Sequence, residues 1–142
     1  MNTPTFALTL PLLGMLTLTM VVWCLLFVKR MSYISANKIK AQDMKTPEQV
    51  QQLIPGEVAA PGNNLKNLFE LPVVFYAICL YLVVAVQVDD IHYYCAWIFL
   101  VFRIIHSIIH CTYNQVMHRF AAYVISSIAL WVMVVRALVG AM

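Results

Sequence analysis

Charged residues are scarce in this sequence of 142 amino acids. Only 11% of the residues are Asp, Glu, Lys or Arg, whereas 63% are hydrophobic. A soluble domain typically contains about 25% charged and about 45–50% apolar residues. A chain with so few solvating groups cannot cover its surface in water, and its apolar content excludes a disordered chain or a collagen-like fibre. The composition therefore predicts an integral membrane protein.

The sequence also lacks the features of several other protein classes. The four cysteines lie far apart in apolar stretches without a C-x-x-C pair, so we expect buried thiols and neither a disulfide nor a zinc framework. The net charge of +3 is too small and too scattered for a nucleic-acid-binding surface. No basic region precedes the first apolar run and no small-residue cleavage site follows it, so we interpret this run as a mature membrane helix and not as a signal peptide.

Four apolar stretches are long enough to cross a bilayer as helices. The first is uncharged over residues 5–28, and at about 1.5 Å per residue it exceeds the roughly 30 Å hydrocarbon thickness. We predict an all-α bundle of four spans in a single domain over residues 1–142, with helices at about 5–29, 67–88, 91–112 and 119–138. Residues 30–66 form a long loop, in which residues 46–49 predict the capped start of a short polar helix and residues 61–64 predict a turn.

Lys and Arg are unevenly distributed among the loops. Six of the nine lie within residues 29–66, and Arg119 flanks the third loop, whereas the second loop at Asp89-Asp90 has none. Cytoplasmic loops carry an excess of basic residues. We therefore expect the first and third loops in the cytoplasm and both termini on the non-cytoplasmic side.

The third predicted span contains Arg103, and His106 and His110 follow on the same helical face. A charge in mid-membrane costs about 2.5–3.5 kcal/mol on insertion scales, so this face must point to the protein interior, a subunit interface or a water-filled crevice. Pairing with a carboxylate on another helix and a functional site are equally open interpretations. The two histidines have the spacing of metal ligands, but no HExxH glutamate and no evident third ligand accompany them, so we expect no metal. A metal or haem protein built on them is a distant third interpretation.

Two further residues near the membrane surface have a structural and a functional interpretation. Asn67 and Glu70 fit a capping box at the head of the second span, which by itself favours a capping role. Arg119 at the start of the fourth span could stabilise a phosphate, a carboxylate or a thiolate, or anchor the helix at the interface. Pro72 predicts a kink just after the first turn of the second span.

Together these segments resemble the MAPEG family, the membrane-associated proteins of eicosanoid and glutathione metabolism. The segment from Asn64 to Phe75 is similar to the family's N-x-x-E-then-Pro signature, and Arg103-Ile-Ile-His106 followed by Arg119 is similar to its third-helix motif. The resemblance covers nearly the whole chain. It is closer to bacterial members than to the eicosanoid synthases, so we expect a bacterial inner membrane.

The resemblance implies a homotrimer that binds glutathione between neighbouring subunits near the cytoplasmic face. It assigns glutathione binding to Asn67, Glu70, Lys66, Arg103, His106, His110 and Tyr113. Arg119 matches the arginine that stabilises the thiolate, and Arg30 lies where some members place a basic residue near the acceptor substrate. Asn63 replaces an arginine of tightly binding members, which leaves Lys66 as the nearest cation, and His110 takes the place of a tyrosine, with Tyr113 nearby.

The expected function is therefore that of a glutathione-dependent transferase or peroxidase. Glutathione would be its co-substrate, and the thiolate would attack a lipophilic electrophile or peroxide that arrives from the bilayer. The alternative is a non-catalytic MAPEG-like scaffold or lipid-binding membrane protein.

Overall fold

The structure is a computed structural model and describes residues 5–142. Over this range the chain is helical, with no strand. The helices are α1 Thr9–Ala36, α2 Pro47–Leu53, α3 Gly56–Leu68, α4 Leu71–Val84, α5 Asp90–Cys111 and α6 Val116–Gly140, with 3-10 turns at Thr5–Leu8 and Ala41–Met44. The segments long and apolar enough to cross a membrane are Phe6–Ala36, Gly56–Val84, Asp90–Cys111 and Val116–Gly140. The predicted all-α fold with four spans is confirmed, and the homotrimer stays a prediction.

The first helix is longer than the sequence predicted. It continues from the expected end near residue 29 to Ala36, because no glycine or proline interrupts residues 30–36. The side chain of Asn37 donates to the Tyr33 carbonyl at 2.9 Å, and Lys38 then adopts a left-handed backbone with φ of 52°. This combination satisfies a terminal carbonyl and ends the helix.

The second span begins much earlier than predicted, and the predicted turn at residues 61–64 is wrong. This stretch lies within α3, whose buried residues Ala60, Pro61, Asn64 and Leu68 recur at helical spacing. α3 packs on α1 and α5, so tertiary burial overrides the local preference of proline, glycine and asparagine for turns. The loop therefore ends at Pro55, eleven residues before the predicted boundary at 66.

A break at Phe69 and Glu70 separates α3 from α4. Pro72 lies in the first turn of α4, where its ring and missing N–H prevent the helix from continuing across this point. Asn67 consequently lies in the last turn of α3, and Glu70 immediately precedes α4 without a capping hydrogen bond from its side chain. The predicted capping box of Asn67 and Glu70 is therefore wrong, and both side chains are available for other contacts.

The starts of α2 and α5 are capped by side chains. The predicted capping box at α2 is confirmed, since Thr46 Oγ1 accepts from the Gln49 N–H at 3.4 Å and Gln49 Oε1 accepts from the Thr46 N–H at 3.2 Å. At α5, Asp89 accepts from the His92 N–H at 2.9 Å. Burial would raise the pKa of the Asp89 carboxyl, but the His92 N–H and the nearby Arg136 guanidinium outweigh it and lower the pKa.

The core lies where α1, α4, α5 and α6 meet. Phe75 of α4 and Phe99 of α5 are fully buried and stack with their ring centroids 4.4 Å apart. α5 and α6 form the most extensive helix pair. The antiparallel arrangement of these two helices brings the end of α5 beside the start of α6, where the candidate site lies.

Candidate functional site

Arg103 occupies the centre of the candidate site. Its side chain is fully buried, and the guanidinium carbon lies 4.7 Å from the ring centroid of Tyr123 and 5.4 Å from that of Phe99. None of its three nitrogens makes a hydrogen bond of normal geometry within residues 5–142, and Tyr123 is the side chain that interacts with it most strongly. Aromatic faces stabilise a cation but cannot accept its N–H hydrogen bonds in the way an anion does. A buried guanidinium with unused donors is therefore suited to bind an anion.

Glu70 is the carboxylate that acts electrostatically on Arg103. It lies at the break between α3 and α4 and is close enough to interact electrostatically with Arg103. It forms no hydrogen bond with the guanidinium, and its side chain is exposed in the described chain. The ion pair that would give Arg103 a purely structural role is thus not formed within this part of the chain.

His106 links three helices at the site. Its Nδ1 lies 2.9 Å from the Arg119 carbonyl oxygen on α6, and because a carbonyl only accepts, Nδ1 carries the proton and donates. Nε2 is then the unprotonated nitrogen, and it faces Asn67 Nδ2 of α3 at 3.5 Å. The hydrogen bonds assign the neutral tautomer and fix the orientation of the ring.

Arg119 lies one turn inside α6, because this helix begins at Val116 and not at the predicted residue 119. Its Nη1 donates to Asn114 Oδ1 at 2.7 Å, which leaves other guanidinium N–H groups available. Both Arg103 and Arg119 act electrostatically on His106. Arg119 is thus linked to His106 by its backbone carbonyl, and its guanidinium is held by Asn114.

His110 extends this region by one helical turn. Its ring packs edge-on against that of His106 with centroids 5.6 Å apart, and it is 96% buried. Its Nδ1 has no hydrogen-bond partner within the described residues. We call the cluster of Asn67, Arg103, His106, His110 and Arg119 the arginine–histidine cleft.

The sequence model of the MAPEG family matches residues 7–139. The chain belongs to this family. No curated protein and no solved structure matches the chain. MAPEG membership places the protein among membrane proteins related to glutathione and eicosanoid metabolism.

Besides Glu70, three of the residues assigned from the MAPEG resemblance lie outside the cleft in the described chain. Lys66 is exposed in the last turn of α3. Tyr113 is exposed beyond the end of α5, where its hydroxyl lies 3.2 Å from His118 Nδ1. Arg30 lies on α1 against α3, where a Cβ at Gly62 would approach its Nη2 to 3.4 Å. Within residues 5–142 these three side chains make no hydrogen bond with a residue of the cleft.

The structure also adds polar residues that sequence reasoning missed. Tyr123 packs on both Arg103 and His106, and its position four residues after Arg119 could have placed it on the same helical face. Asn64 is fully buried; its Oδ1 accepts from Ser107 at 3.5 Å and its Nδ2 lies 3.7 Å from Cys111 Sγ. Asn64 was missed because the predicted turn separated it from the Asn67 face.

The described residues contain no group of three or more His, Cys, Asp or Glu side chains arranged to hold a metal ion. The cleft instead combines the Arg103 cation with two aromatic rings, a histidine and an amide, and the Arg119 guanidinium acts electrostatically on the same histidine. Such an arrangement favours an anion bound by hydrogen bonds in surroundings of low polarity.

Proposed function

We propose that this MAPEG member is a glutathione-dependent transferase or peroxidase embedded in the membrane. The observation that carries the proposal is the fully buried Arg103 guanidinium, whose nitrogens have no hydrogen-bond partner in the described part of the chain. A buried cation of this kind is expensive to maintain in a membrane protein unless it binds something. The family supplies the class of ligand, a small peptide with carboxylates, an ammonium and a thiol.

The residues around the cleft complement that ligand. Glu70 offers a carboxylate to the ammonium, and the amide of Asn67 offers hydrogen bonds to the peptide backbone. Arg103 binds an anionic group within the cleft, and Arg119 stabilises the sulfur anion. Two cations close to a thiol favour its thiolate form, which is the nucleophile.

The thiolate then reacts with a lipophilic acceptor from the bilayer. With an electrophile, a new carbon–sulfur bond forms from the sulfur electron pair and the acceptor's leaving group departs with its bonding electrons. With a peroxide, the sulfur attacks one oxygen and the O–O bond breaks, giving an alcohol and a sulfenic acid that a second thiol converts to a disulfide and water. Arg30 on α1 would lie near the acceptor.

The proposed homotrimer accounts for the residues that lie outside the cleft. Glu70, Lys66 and Tyr113 are exposed in the described chain, as expected for side chains that meet a ligand bound between neighbouring subunits. We further propose a bacterial inner membrane, with the cleft near the cytoplasmic face and both termini on the other side.

Ultraviolet absorbance of the thiolate on adding glutathione to the purified protein tests the proposal. We expect a saturable thiolate signal that Arg119→Ala abolishes. Arg136→Gln is the matched control on the same helix, at the opposite end of the bundle, and should keep the signal. Absence of a thiolate at millimolar-range glutathione, with the oligomer intact by size-exclusion chromatography, would refute the proposal and favour a scaffold or lipid-binding protein.

A further inference from the structure

A groove lies at the end of the bundle opposite the arginine–histidine cleft. It has a volume of about 870 Å³ and is bounded by the start of α5 and the second half of α6. Its lining extends along α6 from Ile128 to Gly140, which corresponds to about 18 Å at 1.5 Å per residue. Pockets that bind small molecules have volumes of about 300–1,000 Å³, so the groove is large enough for a ligand.

The wall of the groove along α6 is apolar. Ile128, Val132 and Val135 line it, and each is at least 40% exposed in the described chain. These residues lie on a membrane-spanning segment, where lipid chains can reach side chains that are exposed in the described chain. Because a lipid environment gives apolar side chains no reason to avoid exposure, this wall by itself does not distinguish a bound chain from bulk lipid.

The outer end of the groove is polar and contains both signs of charge. Arg136 Nε donates to Asp89 Oδ2, and the Asp89 side chain also caps α5. Arg136 is 45% exposed and Asp89 is 36% exposed, so both can contact a further group. The ion pair lies at the start of α5 and near the end of α6, where the membrane surface is expected.

Two side chains have buried polar atoms at this end of the groove. His92 is 98% buried and lines the groove, and its Nδ1 lies 2.8 Å from Asp89 Oδ1 beside the ion pair. Gln87 Oε1 is also buried, has no hydrogen-bond partner among the described residues and lines the same groove. Unsatisfied buried polar groups are costly, which points to a polar ligand at this end.

We propose that this groove binds one zwitterionic phospholipid, with its headgroup at Asp89 and Arg136 and one acyl chain along Ile128, Val132 and Val135. The phosphate takes the free N–H donors of Arg136, and the ammonium approaches Asp89, which complements both charges of the pair. Gln87 and His92 face the polar part of the lipid below the headgroup. This site is independent of the proposed glutathione chemistry.

Two tryptophans allow a direct test with a built-in control. Trp131 lines the groove, whereas Trp23 lies on α1 outside it, and both are 49% exposed. Trp23→Phe/Trp97→Phe leaves Trp131 as the only tryptophan, and Trp131→Phe/Trp97→Phe leaves Trp23. The detergent-solubilised full chain is titrated with phosphatidylethanolamine that carries brominated acyl chains, which quench nearby indoles. We expect Trp131 quenching to saturate at one lipid per chain, while Trp23 quenching rises without saturation.

Two substitutions in the Trp131 background locate the site. Arg136→Gln removes the phosphate partner and should weaken binding about tenfold, in line with a lost hydrogen bond to a charged group. Val132→Phe fills the groove and should abolish the saturable phase while the headgroup residues remain. Brominated phosphatidylglycerol, which has no ammonium, should bind at least several-fold more weakly.

Several results would overturn the proposal. Equal, unsaturable quenching of both tryptophans would identify ordinary boundary lipid, and an unquenched Trp131 would identify a second copy of the chain over the groove. Equal binding of phosphatidylglycerol, or binding indifferent to Arg136→Gln, would exclude recognition of a zwitterionic headgroup.

Discussion

Replacing Arg103 by methionine separates a functional cation from a structural one. In a structural role the guanidinium holds the helices together, and its loss destabilises the protein. In a binding role the buried guanidinium destabilises the protein in the absence of ligand, and its removal abolishes binding while leaving the fold intact. Methionine suits the test because it is unbranched and fills an irregular buried space.

The expected magnitude follows from the surroundings of the guanidinium. Placing an arginine in mid-membrane costs about 2.5–3.5 kcal/mol on insertion scales. The cation–π contacts with the rings of Tyr123 and Phe99 offset about 2 kcal/mol of this cost, because the guanidinium is shielded from water. No hydrogen bond within residues 5–142 offsets the remainder. Arg103→Met should therefore leave the free energy of unfolding unchanged or raise it by about 1 kcal/mol.

Unfolding in detergent by denaturant titration, followed by far-ultraviolet circular dichroism, measures this difference. Glutathione at about 100 times its Kd should stabilise the unsubstituted protein by about 2.7 kcal/mol and Arg103→Met not at all. Ile105→Met, on the lipid-facing side of the same helix, is the control and should respond to glutathione normally. A loss of about 3–5 kcal/mol in Arg103→Met without glutathione would refute the argument, since that is the cost of breaking a buried ion pair.

Three further predictions concern the fold. The lowered pKa of Asp89 stabilises the folded protein at pH values above the unfolded pKa near 3.8, and this stabilisation is lost as the pH falls through the lower folded pKa. Acid titration of thermal unfolding should therefore show a decrease in stability in this pH range, and Asp89→Asn should remove that decrease. Gly14→Ala places a Cβ 2.7 Å from Leu100 Cδ2, so the end of the Leu100 side chain must shift, and the overpacking cost less the gain in helix propensity should lower the free energy of unfolding by about 1 kcal/mol, measured by denaturant titration. Thr46→Ala removes the cap of α2 and should weaken this helix by about 1 kcal/mol, measured as faster amide hydrogen exchange over residues 47–53.

Each of these predictions has its own control. For the acid titration, Asp43→Asn in the 3-10 turn Ala41–Met44 should leave the decrease in place, and an unchanged curve for Asp89→Asn would show that Asp89 contributes nothing. For Gly14, the control is Gly56→Ala, whose added Cβ meets no atom within 4 Å, and equal stability of the two variants would contradict close packing of α1 on α5. For Thr46, Thr46→Ser should keep the slow exchange, and unchanged exchange in Thr46→Ala would show that the cap is dispensable.

The break between α3 and α4 shows how far local sequence rules extend. Pro72 predicted a distortion near the head of the second span, and a break occurs at Phe69 and Glu70. The residues from Pro61 to Asn64 predicted a turn, but they are helical because one side of α3 is buried against α1 and α5. The helix penalties of about 3 kcal/mol for Pro61 and about 1 kcal/mol for Gly62 are outweighed by the burial of this helix face.

The candidate site was likewise predictable only in part from the sequence. Arg103 and His106 share a helical face by spacing, so the sequence could place them together. Spacing could not reveal that the Arg119 carbonyl fixes the tautomer of His106, or that Tyr123 packs on both Arg103 and His106. These contacts join residues of different helices, and their geometry depends on the packing of α5 against α6.

The sequence by itself determined the number of membrane spans and that they are α-helices. A helix must satisfy its own backbone hydrogen bonds in lipid, so an uncharged run of sufficient length has few other structures open to it. Only the tertiary structure decided that α3 joins the second span, and that Arg103 lies between aromatic rings with no hydrogen-bond partner among residues 5–142. The physical reason is that both outcomes depend on which side chains of other helices pack against α3 and Arg103. The order of residues along the chain does not fix the distances between helices.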